Sequence, residues 1–437
     1  MKKILSFCLS VFLLLSVSAA EEPSLKIVVT TDIHAQWQLL EKVYAFMAEK
    51  NPDAVLFAGD LARYVGDAKS YKTYISIYNK YFSKCKTKPV HIPITGNHDY
   101  WEHKGKKRLA PQDSLKRFFH PMGMKADWLQ HHVIKGYTFI GISATDEKGE
   151  NNHTPEEIRQ VSGLIGEAEK KAPGKPVFVL THCPPAFTMA ASARNDGRKK
   201  VWDWRYDHIR KMLSGHKQVI SISGHTHLPL QDERTIWQGE FTAINAGGLY
   251  KTALTEPGPV TDSHIPYNGP GGQSFCYIEV FRNHMLIYRY DANTLKEIAP
   301  EKRWRVKLPY DPEKAIYTMN RKNSSEVPRI PAGTTATVIK KINKNGKEGY
   351  ALQLNLTQYP DSVYAYKVKL IYDDKSLKNQ EFYIVSDFFQ PERSRNFVYQ
   401  FPQNQKLTAG AECTLKIIPV EQFGKTGKGI SLKCKIP

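Results

Sequence analysis

Six short polar runs, nearly all lying close behind an apolar, β-branched stretch, constrain this chain more than any other feature. They are Asp32-Ile33-His34, Gly59-Asp60, Gly96-Asn97-His98-Asp99, Thr181-His182, Gly224-His225-Thr226-His227 and Asn245-Ala246-Gly247-Gly248. A strand followed by polar residues at its carboxyl end is how open α/β sheets build their sites. Asp, Asn and His are therefore delivered repeatedly to one sheet edge. That donor set suits hard-to-borderline divalent cations, and two such cations suit phosphate ester cleavage.

The residues qualify individually for distinct parts. Asp60 ends an apolar strand, and Gly59 permits close approach, so its carboxylate is the natural bridge between two ions. Asp32 and His34 are two apart and leave a strand end together. His225 and His227 repeat that arrangement behind Gly224. Asn97 is a neutral oxygen donor, and His182 ends a further strand. An isolated Asp-x-His or Gly-His-x-His triplet arises often by chance. The ordered series, each member after a strand, does not.

Taken as a set, these runs resemble the calcineurin-like metallophosphoesterase family over about residues 25–250. The resemblance implies a four-layer α/β/β/α sandwich and two bound metals of the Mn, Fe or Zn class. It implies Asp32, His34, Asp60 and His227 around one ion, and Asp60, Asn97, His182 and His225 around the other. It also implies His98 as the catalytic histidine, acting as general acid, with Asp99 orienting it. The activity implied is hydrolysis of a phosphomonoester or phosphodiester by a water that the metals acidify. The tyrosine ligand of purple acid phosphatases would fall three residues after the bridging Asp; Arg63 stands there instead.

Around this set, Arg63, Tyr100, Trp101 and His264 are the candidates for substrate contact. Arg63 has a planar fork matched to phosphate oxygens, with a helix-face salt bridge as the alternative. Trp101 serves equally as plain packing. His264 lies in a Pro- and Gly-rich stretch, 255–272, long for an unstructured connection. Asn245 and Gly247 are placed to support the site from behind.

The rest of the chain sets the organisation. At 437 residues, two domains are expected. Lys2 and Lys3 precede an apolar run over 4–17 that ends near Ser18-Ala19-Ala20, the pattern of a secretory signal over residues 1–20. The protein is thus expected to be exported, periplasmic or secreted, with no membrane-spanning segment after processing. Strands and helices alternate up to about residue 240, the mark of an α/β sheet; Thr154 followed by Pro155 and two glutamates signals one helix start clearly. The catalytic domain is expected over 21–298 and a wrapping linker over 299–331. Short alternating runs then predict an immunoglobulin- or fibronectin-like β-sandwich over 332–437. All fifteen histidines lie at or before His284, so that last domain has no imidazole chemistry of its own. Carbohydrate contact is the binding role open to it, and an exported glycan- or surface-binding protein is the alternative reading of the whole. A formal charge of +19 suits anionic partners and raises a non-specific nuclease as a third reading, but the charge is diffuse and no motif for sequence-specific nucleic-acid recognition accompanies it. Cys413 and Cys434, in one β-rich segment, are the candidate disulfide.

Overall fold

The computed structural model describes residues 21–62, 68–102, 107–147, 152–192, 207–261, 264–265, 267, 269–342, 346, 348–360, 362–390, 392–401 and 407–437. The expected signal sequence and Arg63 lie outside the described residues, as does the side chain of His264.

Two six-stranded sheets make the first domain. In the first sheet the order is Trp304–Lys307, His284–Asp291, Ser274–Val280, Leu25–Thr30, Ala54–Phe57 and Val90–Pro93. The last three strands of that order run parallel. The second sheet has the order Ile236–Gln238, Thr242–Asn245, Val219–Ser223, Val177–Thr181, Tyr137–Ile142 and Leu129–Ile134, with its four central strands parallel. Parallel strands buried on both faces read as continuous apolar runs. Within those runs alternate residues divide between two cores. Ile27, Val29, Leu56, Phe178, Leu180, Ile220 and Ile222 meet between the sheets. Val28, Val55 and Phe57 face the helices Trp37–Ala48, Ala68–Phe82 and Pro111–Phe119, and Val177, Val179 and Val219 face the helices Pro155–Lys171 and Asp207–Ser214. The layers are therefore helix, sheet, sheet, helix, the four-layer α/β/β/α arrangement that the resemblance implies.

The helix at Pro155 begins as its sequence requires. Thr154 accepts from the Glu157 amide at 3.3 Å, and the Glu157 carboxylate accepts from the Thr154 amide at 2.7 Å. Such a reciprocal cap contributes about 1 kcal/mol.

The stretch 299–331 contributes a strand to the first sheet. That strand, Trp304–Lys307, is paired antiparallel to His284–Asp291. Its alternation explains why: Trp304 and Val306 are buried between the sheets while Arg305 and Lys307 are exposed. The chain beyond it does wrap the domain. Gln238 accepts from the amides of Ile316 and Tyr317, and Arg321 donates to the carbonyls of Glu233 and Ile236.

Among the described residues, the C-terminal strands pair antiparallel. Thr335–Ile342, Glu348–Asn355 and Asn396–Gln400 form one sheet; Gln380–Val385, Ala365–Tyr372, Glu412–Val420 and Ile430–Lys435 form the other. Their apolar faces share one core around Leu352, Val368, Leu415 and Ile417. Cys413 and Cys434 are direct cross-strand partners, both thiols, with sulfurs 3.1 Å apart.

The two domains meet over a bonded, apolar contact. Arg234 is fully buried, paired to Asp232 at 2.6 Å, and it donates to the Tyr364 hydroxyl of the sandwich at 2.7 Å. Leu254 and Ile265 of the first domain pack with Tyr364, Ala365, Val385 and Phe389 of the second.

Candidate metal centre

The parallel strands of both sheets end along one edge, and the polar runs begin there. Five ligand-type residues hold left-handed backbone: Asp32 (φ 49°), His34 (φ 44°), Asp60 (φ 61°), His225 (φ 70°) and His227 (φ 53°). Each such residue costs on the order of 1–3 kcal/mol and persists only where its surroundings over-determine it. Glycines make the crowding feasible. A Cβ on Gly224 would lie 1.9 Å from Thr31 Oγ1 and 2.5 Å from Asp32 Oδ2, and one on Gly96 would lie 2.3 Å from Asp60 Oδ1.

Asp32, His34, Asp60 and His227 each offer one ligand atom within 4.8 Å of the others. Backbone carbonyls set the tautomers. His34 Nδ1 lies 3.2 Å from the Ala62 carbonyl, His227 Nδ1 2.9 Å from that of Lys251, and His182 Nδ1 2.7 Å from that of Ala58. Each Nδ1–H then donates outward and each Nε2 lone pair faces the centre, as ligand histidines require. Asp32 Oδ2 is taken by the Thr31 hydroxyl at 2.7 Å and the His225 amide at 2.8 Å. Asp32 Oδ1 faces His227 Nε2 at 3.1 Å and His34 Nε2 at 3.8 Å, and His34 Nε2 is buried without a hydrogen-bond partner. Lone pairs gathered this closely in a buried site are costly unless a proton or a cation joins them. The residues present therefore fit a metal ion.

A second group adjoins. His182 Nε2 lies 3.1 Å from Asn97 Oδ1 and 3.2 Å from His225 Nδ1, and His225 Nδ1 lies 3.1 Å from Asn97 Oδ1. Asp60 stands between the groups: its Oδ2 is 3.6 Å from His34 Nε2 and 3.3 Å from His182 Nε2. Its Oδ1 accepts from the His98 amide at 2.8 Å.

The electrostatics match ligand chemistry. Burial alone would raise the Asp32 carboxyl, but His227 outweighs it and holds it at about 2. Asp60 is held well below the usual carboxylate range, burial being overcome by His182, His98 and His34. Burial presses His34 down to about 4, and burial with His182 beside it presses His225 to about 3, so both are neutral. For His182, burial is overridden by Asp60, which raises it to about 9. A cation entering there displaces that proton.

The remaining expected site residues fall as follows. The His98 ring is edge-on to His34 at 4.7 Å between centroids, with its Nδ1 buried and free of hydrogen bonds. Asp99 does not orient that ring among the described residues. Its carboxylate accepts from the amides of Gly96 (2.9 Å), Asp60 (3.0 Å) and Leu61 (3.3 Å) and from the Tyr71 hydroxyl (3.3 Å). It ties the loop carrying Asn97 and His98 to the loop carrying Asp60. Burial raises it to about 7. Tyr100, expected near substrate, is wholly buried; its hydroxyl contacts Thr95 and the Ala144 carbonyl, so it packs beneath the site. Trp101 is half-buried under the Arg108 guanidinium, 4.2 Å from its ring centroid. Asn245 braces the site from behind, donating to the Gly224 carbonyl at 2.6 Å and accepting from the Gly247 amide at 3.0 Å.

Sequence reasoning missed Tyr250, whose half-buried ring lies 4.7 Å from that of His34 and 6.0 Å from that of His227. The signal was Gly247-Gly248 just before it. Gly248 packs where a Cβ would sit 3.2 Å from Asp32 Cβ, so whatever follows that pair borders the centre.

Residues 25–229 match the family model described as calcineurin-like phosphoesterase. This chain carries a calcineurin-like phosphoesterase domain. Residues 25–229 are therefore a metallophosphoesterase domain, a hydrolase. Among solved structures, this chain is similar to TT1561 of Thermus thermophilus (14% identity, 63% of this chain and 97% of that one, TM-score 0.34). It is also similar to Yfce, a phosphoesterase from E. coli (13% identity, 63% and 97%, TM-score 0.28), and to an archaeal phosphodiesterase (12% identity, 64% and 99%, TM-score 0.24). No curated protein matches the chain.

Proposed function

We propose that this metallophosphoesterase is an exported hydrolase of phosphate esters working with two metal ions of the Mn, Fe or Zn class. The observation that carries the proposal is the station of Asp60, one carboxylate oxygen facing His34 Nε2 at 3.6 Å and His182 Nε2 at 3.3 Å. Asp32, His34, Asp60 and His227 would hold one ion, and Asp60, Asn97, His182 and His225 the other. When bound, such ions acidify water and neutralise phosphoryl charge. The chain supplies the rest. His98, beside His34, holds a proton for the departing oxygen. Asp99 fixes the loop on which His98 rides. Tyr250, beside His34 and His227, would border the ester's organic part, and Trp101 stacked with Arg108 would be a further contact for it.

The test is hydrolysis of an aryl phosphate and a bis-aryl phosphate by the Mn²⁺-loaded protein. Turnover is expected with wild type and should vanish in Asp60→Asn and His182→Ala. Failure on both esters and on a phosphoanhydride sinks the reading. DNA digestion by wild type but not by Asp60→Asn would make the substrate nucleic acid instead. Export rests on the leader alone; recovery of the protein outside the cytoplasm with its N-terminus near Glu21 would support it, and an uncleaved Met1 terminus would refute it.

A further inference from the structure

The C-terminal sandwich has no histidine and stands outside the ligand set, yet a short path joins it to one ligand. His227 is held at both ends by the segment that follows it. Its Nδ1 is bonded to the Lys251 carbonyl at 2.9 Å, and its own carbonyl accepts from the Ala253 amide at 2.9 Å. That segment is itself held from beyond. The Thr252 hydroxyl donates to the Gly271 carbonyl at 2.6 Å. Gly272 is wedged between Thr252 and the sandwich's Phe389, with Cβ space closed at 2.4 Å and 3.2 Å respectively. Leu254–Thr255 pairs with His264–Ile265, and this ribbon buries Leu254 and Ile265 against Tyr364, Val385 and Phe389.

Tyr364 closes the path. Its hydroxyl donates to the Thr255 carbonyl at 2.8 Å and accepts from Arg234 at 2.7 Å, while Arg234 also reaches Thr255 Oγ1 at 3.0 Å. The other ligands of the same group are gripped within the first domain alone, His34 by Ala62 and Asp32 by Thr31.

Resting on the two-metal reading above, we propose that the sandwich is a clamp on the metal centre: Tyr364 and Phe389 fix residues 251–255, and through them they position His227. Tyr364 is a positioning residue, remote from the ions and from substrate. Outer partners that orient a ligand typically change metal affinity by about 10–100-fold. The effect is confined to the ion that His227 holds.

The experiment uses the full chain, Mn²⁺ as the probe and a graded chelator as competitor, and reads Mn²⁺ retained per protein. For Tyr364→Phe, which keeps the ring, and Phe389→Ala, one of two equivalents should be surrendered at about tenfold weaker competition while the other follows wild type. Thr252→Val serves if either variant fails to fold. A merely structural role would loosen both equivalents together. Combining Tyr364→Phe with His227→Ala should then cost no more Mn²⁺ than His227→Ala alone. Retention curves that superimpose on wild type, equal weakening of both equivalents, or an additive double variant each overturn the clamp alone. A wild type that takes up no Mn²⁺ overturns the proposed function and the clamp with it.

Discussion

Replacing Gly224 by alanine adds one methyl group at the most crowded point of the centre. The new Cβ would stand 1.9 Å from Thr31 Oγ1 and 2.5 Å from Asp32 Oδ2. Thr31 can escape only by rotating its hydroxyl off Asp32 Oδ2, to which it donates at 2.7 Å. A hydrogen bond to a buried carboxylate contributes about 1.5–3 kcal/mol, and overpacking a tight site costs about 1–3 kcal/mol. The substitution should therefore destabilise by roughly 4 kcal/mol from those two terms together. The alternative escape moves Asp32 and drags the His225 amide with it, since that amide donates to the same oxygen at 2.8 Å. A shift near 1 Å in catalytic geometry costs about a hundredfold in turnover. Denaturant midpoints, Mn²⁺ content and aryl phosphate hydrolysis on one preparation measure all three effects. Gly163→Ala is the control. That glycine is exposed in the helix Pro155–Lys171 with nothing within 4 Å of its Cβ position, so alanine should stabilise by about 1 kcal/mol. A Gly224→Ala protein with wild-type midpoint, metal and turnover would refute the argument that this glycine is dictated by space.

Asp60→Asn should retain the fold and lose at least about a hundredfold in metal affinity, read by chelator competition, because outer-shell changes alone reach that range. Glu157 is held down at about 2, against a usual 4.5, by His153, the Thr154 amide and the Thr145 hydroxyl. Its contribution to stability is then complete above about pH 4.5 and fades as pH falls toward 2; Glu157→Gln should remove that part of the acid sensitivity in pH-dependent melts. Oxidation should close Cys413 to Cys434, lowering the thiol count of the denatured protein by two. With a sequence separation of 21, the bridge should stabilise the sandwich by about 3 kcal/mol. An unchanged thiol count after oxidation refutes that pairing.

Much of the first domain was legible because its strands are buried on both faces. Runs such as 25–30, 177–181 and 219–223 are mostly apolar and almost wholly buried, and each is followed within two residues by a ligand-type residue. Elements at the margins were not. Leu129–Ile134 is an edge strand carrying two histidines and a glutamine, with no run for periodicity to find. Trp304–Lys307 alternates over only four residues inside a charged, proline-rich stretch. At the centre, residue type and order pointed to the ligands, since few other reasons gather Asp, Asn and His behind successive strands. The part of Asp99 was not readable. Whether a carboxylate turns toward a ring or toward three amides depends on how two loops meet, and no local pattern encodes that. Tyr250 was hidden for the same reason, since its place beside His34 and His227 exists only once distant loops of the first domain meet, and the path from Phe389 to His227 exists only once the two domains touch.

The left-handed turns at Asp32, His34, Asp60, His225 and His227 restrict what can ever replace these residues. A newcomer must tolerate that conformation as well as supply an electron pair, and Asn or Asp tolerates it where Val or Ile does not. Amide-for-acid exchange is thus the gentlest way to silence this centre, removing charge while leaving the loops coiled as they were. Any attempt to retune it for another cation has a correspondingly narrow alphabet to draw on.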